Sequence, residues 1–292
     1  MIFLRGAALF HGKFLEERSA IPTSWMNNSE LSRFEIVECD DISQFRLGQD
    51  AQEIRGNSQP DVERILAPIV GRPIYIDITG LSHHVWMPLL RNAIDSGADV
   101  WCIYAEPEKY QFTNSPRPSE FFDLSERIRG IAPIPTFAKL STNRNLKILT
   151  VPLLGFEGTR FRYMVETLQP EGKNVFPFIG VPGFKPEYPF HTYQGNANTL
   201  DDTRAWENVR FLDAACPFSV AAELASLQTL APNIFLQVAL IGTKPHALGA
   251  ALYALRNQNV ELVYDHPVRK PSRTSGSSRC HVYHVSEFLE PN

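Results

Sequence analysis

The chain has 292 residues, 43% of them hydrophobic and 21% charged, with a formal net charge of -4. That length suits one large α/β domain or two small ones, with enough apolar residues for a substantial core. A slightly acidic balance argues against extended nucleic-acid binding and against an anionic membrane surface, and it leaves room for a local basic pocket.

Read in chain order, Ile2–Phe10 predicts an opening strand interrupted at Gly6, and Phe34–Cys39 predicts a second. Val62, Ile65, Leu66 and Ile69 recur at helical spacing within Asp61–Val70. Pro73–Gly80, "PIYIDITG", is a nearly continuous apolar run of the kind a central parallel strand requires. Val85–Ala93 predicts a helix and Val100–Tyr104 a strand. The second half repeats the order. Leu146–Gly155 predicts a strand with a break at Pro152, Phe161–Leu168 a helix, and Val175–Val181 a strand placed at an edge or end by Pro177. Asp201–Leu230 reads as mostly helical. Asn233–Ile241, Pro245–Arg256 and Val260–Tyr264 then read as strand, helix and strand, and Cys280–Phe288 as a terminal edge strand. Such alternation implies α/β architecture with parallel Rossmann-like sheets.

An internal repeat organises this pattern. "IYIDITGLSHHVWMPLLRNAIDSGADVWCIYAEP" aligns with "FLQVALIGTKPHALGAALYALRNQNVELVYDHP" so that Gly80 falls on Gly242 and His84 on His246. Past a two-residue length difference, Tyr104 falls on Tyr264. The expected architecture is two pseudo-symmetric lobes arising from duplication, residues 1–143 and 144–292. Any two βαβ units share a pattern, so ordinary α/β regularity is the competing explanation.

Cys39, Cys102, Cys216 and Cys280 are scattered without metal-type spacing and read as reduced thiols of a cytoplasmic protein. The opening "MIFLRGAALFHGKF" lacks the charge and apolar order of a signal peptide, and no apolar run reaches membrane-spanning length. No GxSxG, HExxH or GxGxxG motif occurs, and neither a metal nor a cofactor is expected.

Ligands of open α/β sheets bind beyond the carboxyl ends of the strands. There, Gly242-Thr243-Lys244 joins a strand to a small-residue helix. Glycine permits close approach, Thr243 can cap the helix, Lys244 offers a compact charge, and the helix N-terminus favours an anion. The competing reading is a tight turn with a solvated lysine. In the first half, Thr79, Gly80 and Ser82 occupy the matching turn, with Asp77 and His84 beside it as a candidate acid/base pair. Glu157 and Arg160 lie where another strand becomes a helix, and arginine suits phosphate. Gly180–Asn196 reads as a long aromatic loop that is a packed plug, a partner surface or a lid, with Tyr188 and Tyr193 available to stack on a base. Thr203–Phe211 reads as helical, with Arg204, Glu207 and Arg210 ion-paired on one face. Asp265–Arg279 reads as a mobile basic loop that brings Arg273 towards an anion.

At Gly242-Thr243-Lys244 and the helix after it, the sequence resembles the CARF family of Rossmann-like sensor domains. Asp77–Gly80 resembles the residues before the same turn, with Leu81-Ser82 standing where Thr-Lys would. The tandem layout resembles the SAVED sensors of bacterial anti-phage signalling. The resemblance implies a nucleotide or cyclic-oligonucleotide sensor acting with a separate effector protein, and self-association is compatible with it. Two other readings stand beside it. One is a nucleotide- or nucleoside-processing enzyme using Asp77, His84, Glu157 and His246. The other is an interaction subunit of a larger complex.

Overall fold

A computed structural model describes residues 6–12, 30–48, 52–117, 120–139, 146–231 and 233–290. The expected lobe boundary at 143 and 144 lies outside the described residues, as does most of the opening strand before Gly6. The chain divides into two compact units. One comprises Met1–Lys109, Ile134–Thr136 and Thr274–Asn292, and the other Tyr110–Pro133 and Phe137–Arg273.

The first unit begins with β1 (Ala8–Gly12), β2 (Ser32–Glu38), β3 (Gln44–Leu47) and β4 (Glu53–Arg55), followed by helix α1 (Gln59–Leu66). β5 (Ile74–Asp77), helix α2 (His83–Asp95) and β6 (Val100–Tyr110) complete its αβ core. The sheet runs β6-β5-β1-β2-β3-β4. The first four strands are parallel, and β3 and β4 add an antiparallel margin. Every residue of β1 and β5 is buried, which accounts for their unbroken apolar character. α1 starts at Ser58, whose hydroxyl accepts from the Asp61 N–H at 3.4 Å.

The second unit starts with short paired strands β7 (Phe112–Arg117) and β8 (Glu120–Phe122), then β9 (Ser125–Ile128) and β10 (Ala132–Pro133). β11 (Lys147–Leu153) leads through helix α3 (Gly158–Leu168) to β12 (Phe178–Gly180), and helix α4 (Tyr188–Thr203) precedes β13 (Arg210–Leu212). Helix α5 (Pro217–Gln228), β14 (Ile234–Leu240), helix α6 (Lys244–Arg256), β15 (Val260–Tyr264) and β16 (Pro267–Arg269) follow. The main sheet runs β15-β14-β11-β12-β13, all parallel, with antiparallel β10 beyond β15. This is the doubly wound order whose switch point lies between β11 and β14. β17 (Thr274–His284) then joins the first sheet beside β6, and helix α7 (Val285–Leu289) ends the described chain.

Both units therefore carry Rossmann-like parallel sheets. The order β6-β5-β1-β2 matches β15-β14-β11-β12 strand for strand. The crossover helices α2 and α6 are each 13 residues long. Their caps have nearly the same torsions, φ -73° and ψ 155° at Ser82, φ -72° and ψ 153° at Thr243. This register corrects the sequence alignment by one residue. Ser82 corresponds to Thr243, so His84 stands one place away from its expected partner, while the strand pairing, Ile74 with Val100 and Leu236 with Val260, keeps Gly80 on Gly242 and makes Leu81 an extra residue of the first turn. The strands after the helices match as expected, Tyr104 with Tyr264.

Several segments differ from the sequence reading. The aromatic loop is irregular only up to Glu187, because α4 begins at Tyr188. Its buried face is formed by Tyr188, Thr192, Gly195, Asn196, Thr199 and Leu200. The spacing is helical, but polar and small residues carry it, so an apolar-periodicity search passes over it. Thr203–Phe211 is a 3-10 turn and the start of β13, and Arg210 pairs with Glu223 at 3.1 Å rather than with Glu207. The basic segment after Asp265 is mostly strand, in β16 and β17. β11 continues through Pro152 to Leu153, and β12 is internal, with Pro177 just before it.

Candidate functional site

The switch point of the second unit is built on close backbone approach. A Cβ on Gly155 would stand 2.7 Å from the Ile241 carbonyl, and one on Gly242 would stand 2.7 Å from the Leu153 carbonyl. Neither position admits a side chain without movement. β11 and β14 therefore end pressed together, and α6 starts directly over the gap between them.

Thr243 caps α6. Its hydroxyl accepts from the His246 N–H at 3.3 Å and donates to the Ala214 carbonyl at 3.1 Å. Lys244 is the first helical residue and is largely buried, so the solvated-lysine reading of this turn does not describe it. His246 is fully buried, and its Nε2 donates to the Asp213 carbonyl at 3.0 Å. A carbonyl only accepts, so the proton sits on Nε2 and Nδ1 carries the lone pair, with no hydrogen-bond partner. Burial pushes the His246 pKa down to about 4, against the smaller opposing pull of the Asp213 backbone. His246 is thus a neutral tie between α6 and the Asp213–Ala214 turn.

Arg160, on α3, is already engaged. Its Nε and Nη2 donate to the two carboxylate oxygens of Asp265 at 2.7 and 2.6 Å, and Nη1 donates to the Ile241 carbonyl at 3.3 Å. Burial alone would lower its pKa, but the Asp265 carboxylate outweighs burial and raises it, so the guanidinium stays charged. Glu157 lies 3.9 Å from Arg160. Its carboxylate accepts from the Leu124 N–H at 2.8 Å and from the Ser125 hydroxyl at 2.9 Å, which anchors β9 to the start of α3. Burial raises the Tyr264 pKa, while the charges of Arg269, Arg160 and Arg273 pull it down. The carboxyl end of β15 is therefore a basic neighbourhood, with Asp265 as its internal counter-ion. Arg273 enters it just before β17, and its carbonyl accepts from the Gln111 N–H.

The aromatic residues divide. Tyr188 is buried, with its ring 5.1 Å from Phe156 and 5.7 Å from Tyr110. Tyr193 is 46% exposed on the same helix. Tyr188 is thus a packing residue, and the plug reading fits it.

In the first unit the candidate residues brace the β5–α2 turn. The Asp77 carboxylate accepts from the Thr79 N–H, and the Thr79 hydroxyl accepts from the Ala105 N–H, both at 2.9 Å. Gly80 lies in the turn between them and Ser82, and His84 is buried in the first turn of α2. Leu81, between Gly80 and the cap, is fully buried, and its Cδ2 would lie 3.0 Å from a Cβ on Gly12 at the end of β1. Ser82 donates through both its backbone N–H and its hydroxyl to the Glu38 carboxylate. The N-terminus of α2 thus holds an anion supplied by the protein itself. Glu38 ends β2; the residue ending its counterpart β12 is Gly180.

Sequence reasoning missed Glu38, Asp213, Ala214 and Asp265, because their roles come from strand ends brought together across long separations. It also missed a carboxylate–imidazole pair in the first unit, buried Glu106 on β6 with half-buried His281 Nε2 on β17. All four cysteines are free thiols. Burial, then the charge of Asp77, raises the Cys102 pKa, and the same two causes push Cys280 up to about 11. Among the described residues, no His, Cys, Asp and Glu group is placed to hold a metal ion, and no helix is long and apolar enough to cross a membrane.

No family model matches the chain, and no curated protein matches it.

Proposed function

We propose that the second unit binds a phosphorylated small molecule, of the nucleotide or cyclic-oligonucleotide class, at the β14–α6 turn. The protein then acts as a sensor or regulatory subunit that passes the signal to a separate effector; the resemblance to SAVED sensors suggests anti-phage signalling as its setting. One observation carries the reading. The β5–α2 turn has the same cap torsions and already binds an anion, the Glu38 carboxylate, through the N–H and hydroxyl of Ser82. At the β14–α6 turn the strand matching β2 ends in Gly180 where β2 ends in Glu38, and the first helical residue is lysine. Arg269 and Arg273 add positive charge near the adjoining end of β15, where Asp265 is already paired with Arg160.

In this reading Lys244 and the α6 N-terminus neutralise phosphate. Arg160, committed to Asp265, braces the end of β15 rather than contacting the ligand. Calorimetric titration with a panel of linear nucleotides and cyclic dinucleotides and trinucleotides tests the proposal. At least one should bind the wild-type protein in the micromolar range or tighter and bind Lys244→Ala clearly more weakly. Absence of binding across the panel, or equal binding by the variant, removes the reading. An enzyme reading has one observation in its favour, the Glu106–His281 pair, since a carboxylate that orients an imidazole is a common acid/base arrangement. Turnover of the same panel, abolished by His281→Gln, would favour it over sensing alone.

A further inference from the structure

The second unit contains a continuous cluster of rings that begins beside the switch point and ends in solvent. Phe156 follows Gly155, whose Cα faces Ile241 and Gly242. Its ring stacks on Phe122 at 4.5 Å, and Phe122 stacks on Phe112 at 4.7 Å. His191, one turn into α4, meets Phe112 edge-on at 5.7 Å and Phe122 at 5.4 Å. Phe122 is buried, whereas Phe112 is 59% exposed. One face of Phe112 is therefore supported from below by a buried ring, and the other is left open beside an imidazole.

We propose that the open face of Phe112, with His191 at its edge, is the platform on which the base of the ligand stacks. This rests on the phosphate reading of the α6 turn. A flat aromatic surface backed by a rigid ring favours a flat π partner, and such stacking is tolerant of base identity. The imidazole edge adds a donor or acceptor for the rim of that partner. The occupant is small, because the supported surface is one phenyl ring and one imidazole, far below the roughly 800 Å² per side of a stable protein interface. Continuity of the rings from Phe156 to Phe112 ties the platform to the end of β11. The stacking role expected of Tyr188 and Tyr193 thus passes to Phe112 on β7, which the sequence did not single out, and to His191 of the same aromatic segment.

Calorimetry with AMP, GMP, CMP and UMP beside ribose 5-phosphate tests this, on the wild-type protein, Phe112→Ala and Phe112→Trp. Phe112 is exposed, so thermal melts of both variants should match wild type. At least one nucleotide should bind the wild-type protein about ten-fold or more tightly than ribose 5-phosphate. Phe112→Ala should erase that gap without changing the affinity for ribose 5-phosphate, and Phe112→Trp should keep it. A gap that persists in Phe112→Ala, or no gap in the wild-type protein, overturns the platform and leaves the phosphate reading standing. If neither ribose 5-phosphate nor any nucleotide binds, the phosphate reading falls and the platform falls with it.

Discussion

The β5–α2 and β14–α6 turns begin helices of equal length from caps of equal torsion, and the residues around them differ in every charge that matters. In the first unit Leu81 fills the space at the switch point and Glu38 lodges its carboxylate on Ser82. In the second, Gly242 directly precedes the cap, Thr243 turns its hydroxyl to Ala214, and Lys244 follows. A helix N-terminus attracts an anion wherever it occurs. The first unit satisfies that demand internally and gains a brace, while in the second a lysine adds positive charge at the same place, which is the basis for proposing an anionic ligand there. Side chains, not the shared backbone, decide which turn is structural.

The comparison can be broken at several points. The largest effect is expected where α6 packs most closely. A Cβ on Gly249 would lie 2.1 Å from the Pro217 carbonyl, whereas α2 holds Pro88 at the matching position. Gly249→Ala should destabilise the protein by about 3 kcal/mol, by overpacking against backbone that cannot move aside. A denaturation midpoint unchanged from wild type would show that α5 and α6 are not packed as described.

The next effect is acid sensitivity. Burial depresses the His246 pKa from the ordinary imidazole value of 6.5 to about 4, so the unfolded chain binds the extra proton between those values. The stability linked to neutral His246 is present above pH 6.5 and lost as pH falls towards 4, at about 1.4 kcal/mol per unit. His246→Gln should flatten that dependence relative to wild type in urea melts. The same slope in both proteins would mean that another group is responsible.

The smallest effect should come from the first unit's own anion. Glu38→Gln removes the charge from the α2 cap but leaves an oxygen to accept, at a cost of about 1 kcal/mol or less, since the residue is exposed. Ligand affinity should be unaltered, because Glu38 serves the other turn. Hydrogen exchange at Ser82 and its neighbours would read this local loosening, and unchanged protection would mean that the carboxylate contributes nothing there.

Much of the scaffold was legible because its signal is apolar. β5, β14 and β15 are buried runs, and α6 carries its small residues where α5 crosses it. The Gly-Thr-Lys turn was legible for a different reason, since glycine and a capping hydroxyl are local features. β3, β4 and β13 were not, being three or four residues long and half polar. The helix at Tyr188–Thr203 was hidden because Thr, Gly and Asn form its buried face. At the site, the commitment of Arg160 to Asp265 and of Glu157 to Leu124 and Ser125 joins residues 105, 33 and 32 positions apart, which no local pattern announces.

The central claim is that Lys244 at the β14–α6 turn binds phosphate. The most direct measurement is the affinity of the tightest-binding nucleotide for wild-type protein, Lys244→Ala and Lys244→Met, with Glu38→Gln as the control from the other turn. Losing a charge-assisted hydrogen bond costs about 1.5–3 kcal/mol, so both lysine variants should bind roughly ten- to a hundred-fold more weakly. Methionine keeps much of the buried stem, so Lys244→Met should also retain the wild-type melting temperature. Wild-type affinity in both lysine variants, or an equal loss in Glu38→Gln, would contradict the assignment of the second turn as the ligand site.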